Sequence, residues 1–376
     1  MTIDYDILLN RMFFNADKNG TPLAGSFELT SRCPLDCKMC YIHKRENDRD
    51  AISREKDTEW WLKLIDKAKE RGLFTVLLTG GEPMLRQDFD EIYLACKKAG
   101  MVVSVNTNGV LIDDKKIELF KNHPPSRLNI TLYGASGETY EALCGDRKAF
   151  DKVMTALKKL REAEIPVKLN FSVTPQNSGD CEKVQSFAKE HGYRIQPVTY
   201  MYPPVRCSGE PVRLPPGDAA KEHFLWQRRL LGDENMLKYA LGKEDYSPPS
   251  DISDCGEKIK CRAGLSTFWV TYDGEMRPCG MMNVPTVQIS DFDEAWEEIH
   301  RARENIILPK ECKACPYVKI CDVCAAVTLA ETGEFGGVPE YACKKAQEYH
   351  RLCKNFIEEM NCKNSGFQEV KSNENK

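Results

Sequence analysis

The stretch Ser26-Phe27-Glu28-Leu29-Thr30-Ser31-Arg32-Cys33-Pro34-Leu35-Asp36-Cys37-Lys38-Met39-Cys40 begins as an apolar β-run and ends in three cysteines spaced C-x3-C-x2-C. It predicts a strand over residues 26–30 with three thiols on one short loop at its C-terminal end. Further strand patterns lie at 74–79, 102–106, 127–133, 167–173 and 194–200, with amphipathic helical patterns between them. The clearest helix runs over 58–71. It places Trp61, Leu64, Ile65 and Ala68 on one face, with Asp57 as N-cap and Gly72 as stop. A second carries Phe150, Val153, Leu157 and Leu160 on one stripe, and a third spans 180–191. Six strands alternating with helices predict βαβ units and a parallel sheet, hence an α/β fold, either doubly wound or a barrel. In both, ligand groups sit at the C-terminal ends of the strands.

The chain has 376 residues, 41 % hydrophobic and 29 % charged, which fits a folded globular protein with a sizeable core. No apolar run is long enough for a membrane span, and the N-terminus has no secretory pattern, so a cytoplasmic location is expected. A net charge of −4 gives no nucleic-acid footprint. Seventeen cysteines in a reducing compartment argue for metal binding over disulfides. Ten of them follow residue 250.

The segment 1–24 reads as an N-terminal extension and 25–217 as the α/β domain, ending in the Pro- and Gly-rich stretch 201–217. A helical bridge follows over 218–254, then a cysteine-rich domain over 255–362 in which periodicity fades apart from a helix near 292–303. Such a region needs metal staples. The tail 363–376 is expected to be disordered.

Three thiolates on one loop suit three corners of a cubic [4Fe–4S] cluster, leaving one iron open to a substrate or cofactor. A zinc site closed by a fourth ligand such as His43 is the alternative. The next strand ends carry matching polar motifs. These are Thr79-Gly80-Gly81-Glu82-Pro83, where paired glycines admit close backbone approach and Glu82 offers a carboxylate to an ammonium. Asn106-Thr107-Asn108-Gly109 follows the third strand and Asn129-Ile130-Thr131-Leu132-Tyr133-Gly134 lies at the fourth.

Together these motifs resemble the radical S-adenosylmethionine (SAM) superfamily over residues 25–200. The resemblance implies a partial (β/α)6 TIM-like barrel. It implies that Cys33, Cys37 and Cys40 ligate a [4Fe–4S] cluster whose open iron binds SAM. It also implies that Gly80, Gly81 and Glu82 hold the methionyl amine, with Thr79, Asn106, Asn108 and Thr131 near the ribose or carboxylate. Met39 stands where the family usually has an aromatic residue.

The C-terminal cysteines are Cys255, Cys261, Cys279, Cys312, Cys315, Cys321, Cys324 and Cys343, enough for two four-cysteine clusters or a pair of zinc sites. This pattern resembles the SPASM extension of peptide-modifying radical SAM enzymes. That resemblance implies one auxiliary [4Fe–4S] cluster on Cys255, Cys261, Cys279 and Cys324. A second would use Cys312, Cys315, Cys321 and Cys343, giving about 12 irons per chain. Cys321 and Cys324 are spaced x2 where the family commonly has x3.

The implied activity is reductive cleavage of SAM to a 5′-deoxyadenosyl radical that takes hydrogen from a peptide or protein. A ribosomally made precursor would then be matured by thioether formation, carbon crosslinking or epimerisation. A flavodoxin or ferredoxin would supply the electron. Some 24 residues before the first strand are too few for a leader-recognition domain, which would fall to a separate protein or to the barrel surface. A sulfatase maturase is an alternative, although such enzymes carry an acidic residue where this chain has Gly280. A small-molecule substrate, or a non-catalytic iron–sulfur or zinc protein, are the other readings. For the proton-returning residue the chain offers Tyr200, Tyr202, Arg206 and Asp273 without choosing among them.

Overall fold

The computed structural model describes residues 5–244 and 257–373. Six strands pair in parallel in chain order: β1 (Ala24–Glu28), β2 (Thr75–Thr79), β3 (Val102–Thr107), β4 (Arg127–Leu132), β5 (Val167–Ser172) and β6 (Arg194–Val198). Register matches one apolar row across the sheet: Phe27 opposite Leu78, Leu78 opposite Val105, and Val105 opposite Leu128. These residues are fully buried beneath the outer helices. The alternate row runs Ser26, Leu77, Ser104 and Arg127 in register, and these four line an open hollow of about 880 Å³. Period-two alternation thus turns a wholly apolar row toward the helices and a mixed row toward the hollow.

The helices follow the predicted chemistry. The helix Thr58–Glu70 starts where Asp57 accepts from the Trp60 N–H at 2.8 Å, and it buries Trp61, Leu64, Ile65 and Ala68. The helix Ala149–Glu162 buries Val153, Leu157 and Leu160 as expected, with Ala149 deeper than Phe150.

Three features lie outside what the sequence patterns showed. Residues Tyr5–Asn19 of the N-terminal extension form a helix. The loop after it is fixed to the C-terminal region, because the Trp296 indole N–H donates to the Gly20 carbonyl at 2.8 Å. The cysteine-rich region also adds three strands to the barrel sheet: β7 (Thr267–Val270), β8 (Glu275–Arg277) and β9 (Val287–Gln288). β7 runs parallel to β1, and β8 and β9 continue antiparallel. Among the described residues one sheet therefore holds nine strands, and it crosses the boundaries placed at 217 and 255. The Asp273-Gly274 turn between β7 and β8 is a hairpin signal, with Gly274 at φ 86°.

Third, the last helix spans Glu340–Asn373, so the backbone remains helical into the tail expected to be disordered. It packs on the kinked helix Pro216–Glu244, with Tyr349, Cys353 and Phe356 meeting Ala220, Phe224, Met236 and Ala240. Tyr349, Cys353 and Phe356 repeat at helical spacing. Charged neighbours masked that signal.

Phe268 on β7 fills the space above Gly25, where an added Cβ would stand 2.8 Å from its ring. It also meets Phe27, Phe292 and Trp296 edge-on or tilted. Phe268→Ala is expected to cost about 3–5 kcal/mol, read as a lower urea midpoint under anaerobic conditions. A loss below about 1 kcal/mol would mean that the added strands are not integral to the barrel.

Candidate functional site

The chain leaves β1 through Leu29, Thr30 and Ser31, all buried, and turns into the cysteine loop. Two loop N–H groups are held by the end of the helix Gly137–Cys144: Asp36 donates to the Cys144 carbonyl and Lys38 to the Leu143 carbonyl, each at 2.9 Å. Cys33, Cys37 and Cys40 all line one cavity of about 310 Å³ above the C-terminal ends of the strands. Burial pushes the Cys33 and Cys40 thiols up from their ordinary value. The Cys37 thiol is raised by its hydrogen bond with Cys144 and by burial.

Donors nevertheless point at the sulfurs. Asn108 Nδ2 lies 3.3 Å from Cys33 Sγ, and the His43 N–H lies 3.2 Å from Cys40 Sγ. Buried thiols that already receive hydrogen bonds suit a cationic iron centre, which takes the place of the proton. The His43 ring pairs with Asp36 at 2.6 Å.

The strand ends supply the rest of the cavity. Thr79, Gly80, Gly81, Asn106, Asn108 and Thr131 all line it, as do Thr107, Tyr133, Ser172, Tyr200, Tyr202 and Met281. The glycines have a structural task as well. A Cβ on Gly80 would stand 2.3 Å from the Thr30 carbonyl oxygen, and one on Gly81 would stand 2.4 Å from that of Arg32. The Gly81 N–H donates to Thr30 O and the Glu82 N–H to Arg32 O, each at 2.8 Å. The pair therefore lets the end of β2 press directly on the backbone leading to Cys33.

Glu82 is fully buried and does not line the cavity. Its carboxylate accepts from Thr107 Oγ1 at 2.8 and 2.9 Å, from the Asn108 N–H at 2.8 Å and from the Met84 N–H at 3.1 Å. It braces the end of β3, and through Asn108 it orients the donor to Cys33. Burial raises its pKa to about 7 against the pull of those hydrogen bonds.

The C-terminal cysteines fall into two groups. Cys312, Cys315, Cys321 and Cys343 line one small cavity of about 120 Å³. Burial first, and then the neighbouring thiols, push Cys312 up to about 12 and Cys321 to about 11. Cys279 lies close enough to Cys324 and Cys261 to feel their charge. Cys255 lies outside the described residues. The structure thus separates Cys324 from Cys321 despite their short spacing. Cys324 is the N-cap of the helix Ala325–Thr332 and does not line the cavity of the other group. Among the described residues no three His, Cys, Asp or Glu side chains close on a single metal ion, and the cysteines are gathered in wider sets.

Comparison with known proteins agrees with this arrangement. Residues 27–188 match the family model described as Radical SAM superfamily. The PqqA peptide cyclase of Granulibacter bethesdensis is 30 % identical over 342 residues, covering 88 % of this chain and 89 % of that one. The chain belongs to the radical SAM superfamily. The AdoMet-dependent heme synthase of Methanosarcina barkeri is 26 % identical over 328 residues, covering 82 % of this chain and 93 % of that one. The structure of Streptococcus suis SuiB bound to precursor peptide SuiA shares the fold, with TM-score 0.64 at 20 % identity over 91 % of this chain and 82 % of that one.

The cofactors of this radical SAM chain are SAM and a [4Fe–4S] cluster, and its C-terminal cysteines fit two auxiliary clusters. Its cavity wall is fastened by Glu28 at the end of β1. Arg206 grips Glu28 at 2.8 and 2.7 Å, Trp269 Nε1 donates to it at 3.0 Å, and the Arg206 N–H donates to the Tyr41 carbonyl at 3.0 Å. Cys207 Sγ donates to the Cys40 carbonyl at 3.3 Å, so the segment after β6 straps the third cluster cysteine. Position 280 has no room for an acidic side chain, because a Cβ there would stand 2.8 Å from the Trp269 ring. Among the four residues considered for proton return, Arg206 is committed to Glu28. Asp273 is held by Arg54 at 3.0 Å and Thr271 at 2.7 Å. Tyr200 and Tyr202 face the cavity.

Gly81→Ala is expected to displace the Arg32 carbonyl and cost the chain the cluster on the cysteine loop. Iron per chain would fall from about 12 to about 8 after anaerobic reconstitution. An unchanged count would show that the loop tolerates the methyl.

Glu82 generates a pH dependence. Its folded pKa of about 7 stands above the ordinary 4.5, so its contribution to stability is fully present below 4.5 and is lost as pH rises through 7. The loss is on the order of 3 kcal/mol, and Glu82→Gln should flatten that part of the urea-unfolding profile. A wild-type profile that does not fall across this window would contradict the assignment.

Proposed function

We propose that this chain cleaves SAM reductively and removes hydrogen from a peptide or protein, maturing a ribosomally made precursor by a thioether or carbon crosslink or by epimerisation. The observation that carries this reading is the single cavity that combines the three loop thiols with the polar ends of β2, β3 and β4. The peptide cyclase relative and the peptide-bound SuiB neighbour support the substrate class.

When bound, the cluster and SAM supply an electron and a 5′-deoxyadenosyl radical able to attack an unactivated C–H bond. Cys33, Cys37 and Cys40 would hold the cluster, with Asn108 and the His43 N–H donating to their sulfurs. The Gly80-Gly81 backbone, Thr79, Asn106, Asn108 and Thr131 would face the methionyl and ribose groups. Glu82 would act through the loop it braces. Leu35, Met39, Ile42 and Met281 line the cavity and exclude water from reactive species.

Cys261, Cys279 and Cys324, with Cys255, would hold one auxiliary cluster, and Cys312, Cys315, Cys321 and Cys343 the other. The reductant would be a flavodoxin or ferredoxin in the cytoplasm, and a separate protein or the barrel surface would read the leader of the precursor. Among the described residues no helix is long and apolar enough to cross a membrane. A second reading, a small-molecule substrate, is favoured by the heme synthase relative.

The test is anaerobic turnover with SAM, dithionite and the short peptides encoded beside the gene. The expected result is peptide-dependent 5′-deoxyadenosine together with a mass change in that peptide, both abolished in Cys33→Ala. Turnover on a tetrapyrrole or another small molecule, with every peptide left unchanged, would replace this reading by the second.

A further inference from the structure

Two tyrosines on the segment after β6 form part of the cavity wall, and their hydroxyls lead to different places. The rings of Tyr200 and Tyr202 meet edge to face with centroids 5.0 Å apart. Tyr200 donates to Glu331 at 2.6 Å, and that carboxylate is also held by Arg213. Tyr202 places its Oη 3.6 Å from Cys324 Sγ, within hydrogen-bond reach of a sulfur. Cys324 in turn neighbours Cys279. One aromatic side chain therefore touches both the cavity with the three loop thiols and a cysteine of the nearer C-terminal group.

The direction of that hydrogen bond follows from chemistry. A cysteine bound to iron is a thiolate and has no proton to give, so the phenol must donate. Donors to ligating sulfurs are among the features that set the potential of an iron–sulfur cluster. A donor stabilises the more negative, reduced state and so raises the potential.

We propose that Tyr202 is a positioning residue for the auxiliary cluster nearer the cavity: its hydroxyl donates to the Cys324 thiolate and raises that cluster's potential, while its ring forms the wall between cluster and substrate. This rests on the reading of Cys324 as a cluster ligand given above. Tyr200 provides the internal comparison, since its ring shares the wall but its hydroxyl serves Glu331.

The test is an EPR-monitored reductive titration of the reconstituted full-length chain, comparing wild type, Tyr202→Phe and Tyr200→Phe with iron counted in each. The expected result is that Tyr202→Phe moves one auxiliary signal to lower potential. The signal that responds to added SAM should stay in place, and Tyr200→Phe should move neither. Unshifted potentials in Tyr202→Phe at full iron content, or an equal shift in Tyr200→Phe, would overturn the proposal. Should Tyr202→Phe lose iron, a fluorinated tyrosine at 202 keeps the ring and strengthens the donor. It must then move the same signal to higher potential, and no movement overturns the proposal. A wild-type count of about four irons would remove the cluster reading itself, whereas about 12 irons with no shift would remove only the role of Tyr202.

Discussion

The hydrogen bonds from the Gly81 N–H to Thr30 O and from the Glu82 N–H to Arg32 O join the end of β2 to the segment entering the cysteine loop. They form only because neither glycine carries a Cβ, which would collide with those same carbonyls. The loop is thereby clamped between the end of β2 and the end of the helix Gly137–Cys144, which receives the N–H groups of Asp36 and Lys38. Three thiols on a free loop would scatter. Clamped at both ends, they are presented together to one cavity, and the entropy of ordering them is spent in folding.

Glu82 extends the clamp by one strand. A buried carboxylate surrounded by donors from Thr107, Asn108 and Met84 fixes the backbone where β3 ends. The Asn108 side chain can then reach Cys33. A motif that reads as ligand-binding thus divides its labour. The glycines shape the cavity floor, and the carboxylate positions a neighbour that faces the sulfur. Burying an acid is unfavourable, and the raised pKa of Glu82 records that cost.

The second organising feature is that the two cysteine regions share one sheet. β7 pairs with β1, so Trp269 reaches Glu28, and Glu28 in turn holds Arg206, whose N–H donates to the Tyr41 carbonyl. The C-terminal cysteines are therefore set against the barrel by strand register and a buried ion pair. A buried pair of this kind specifies geometry more than it adds stability. The Trp269 ring also fills the space at Gly280, which accounts for the small residue there.

Hydropathy and spacing alone determined the six parallel strands to within one or two residues, the capped helix after Asp57, and the thiols and polar motifs at the strand ends. Those signals are local: alternation, caps and motif spacing act within a few residues. The SPASM resemblance implied a group of Cys312, Cys315, Cys321 and Cys343, and these four line one cavity. What only the tertiary structure decided depends on partners far apart in the chain. The helix Tyr5–Asn19 precedes a loop held by Trp296, the stripe of Tyr349, Cys353 and Phe356 is paired with a helix more than a hundred residues earlier, and β7 completes the edge of β1. Glu82 gained Thr107 and Asn108 as partners, and Tyr202 gained a cysteine neighbour, for the same reason. A side chain's role follows from what packing places against it, and pairwise contacts between distant segments leave no periodic trace in either segment alone.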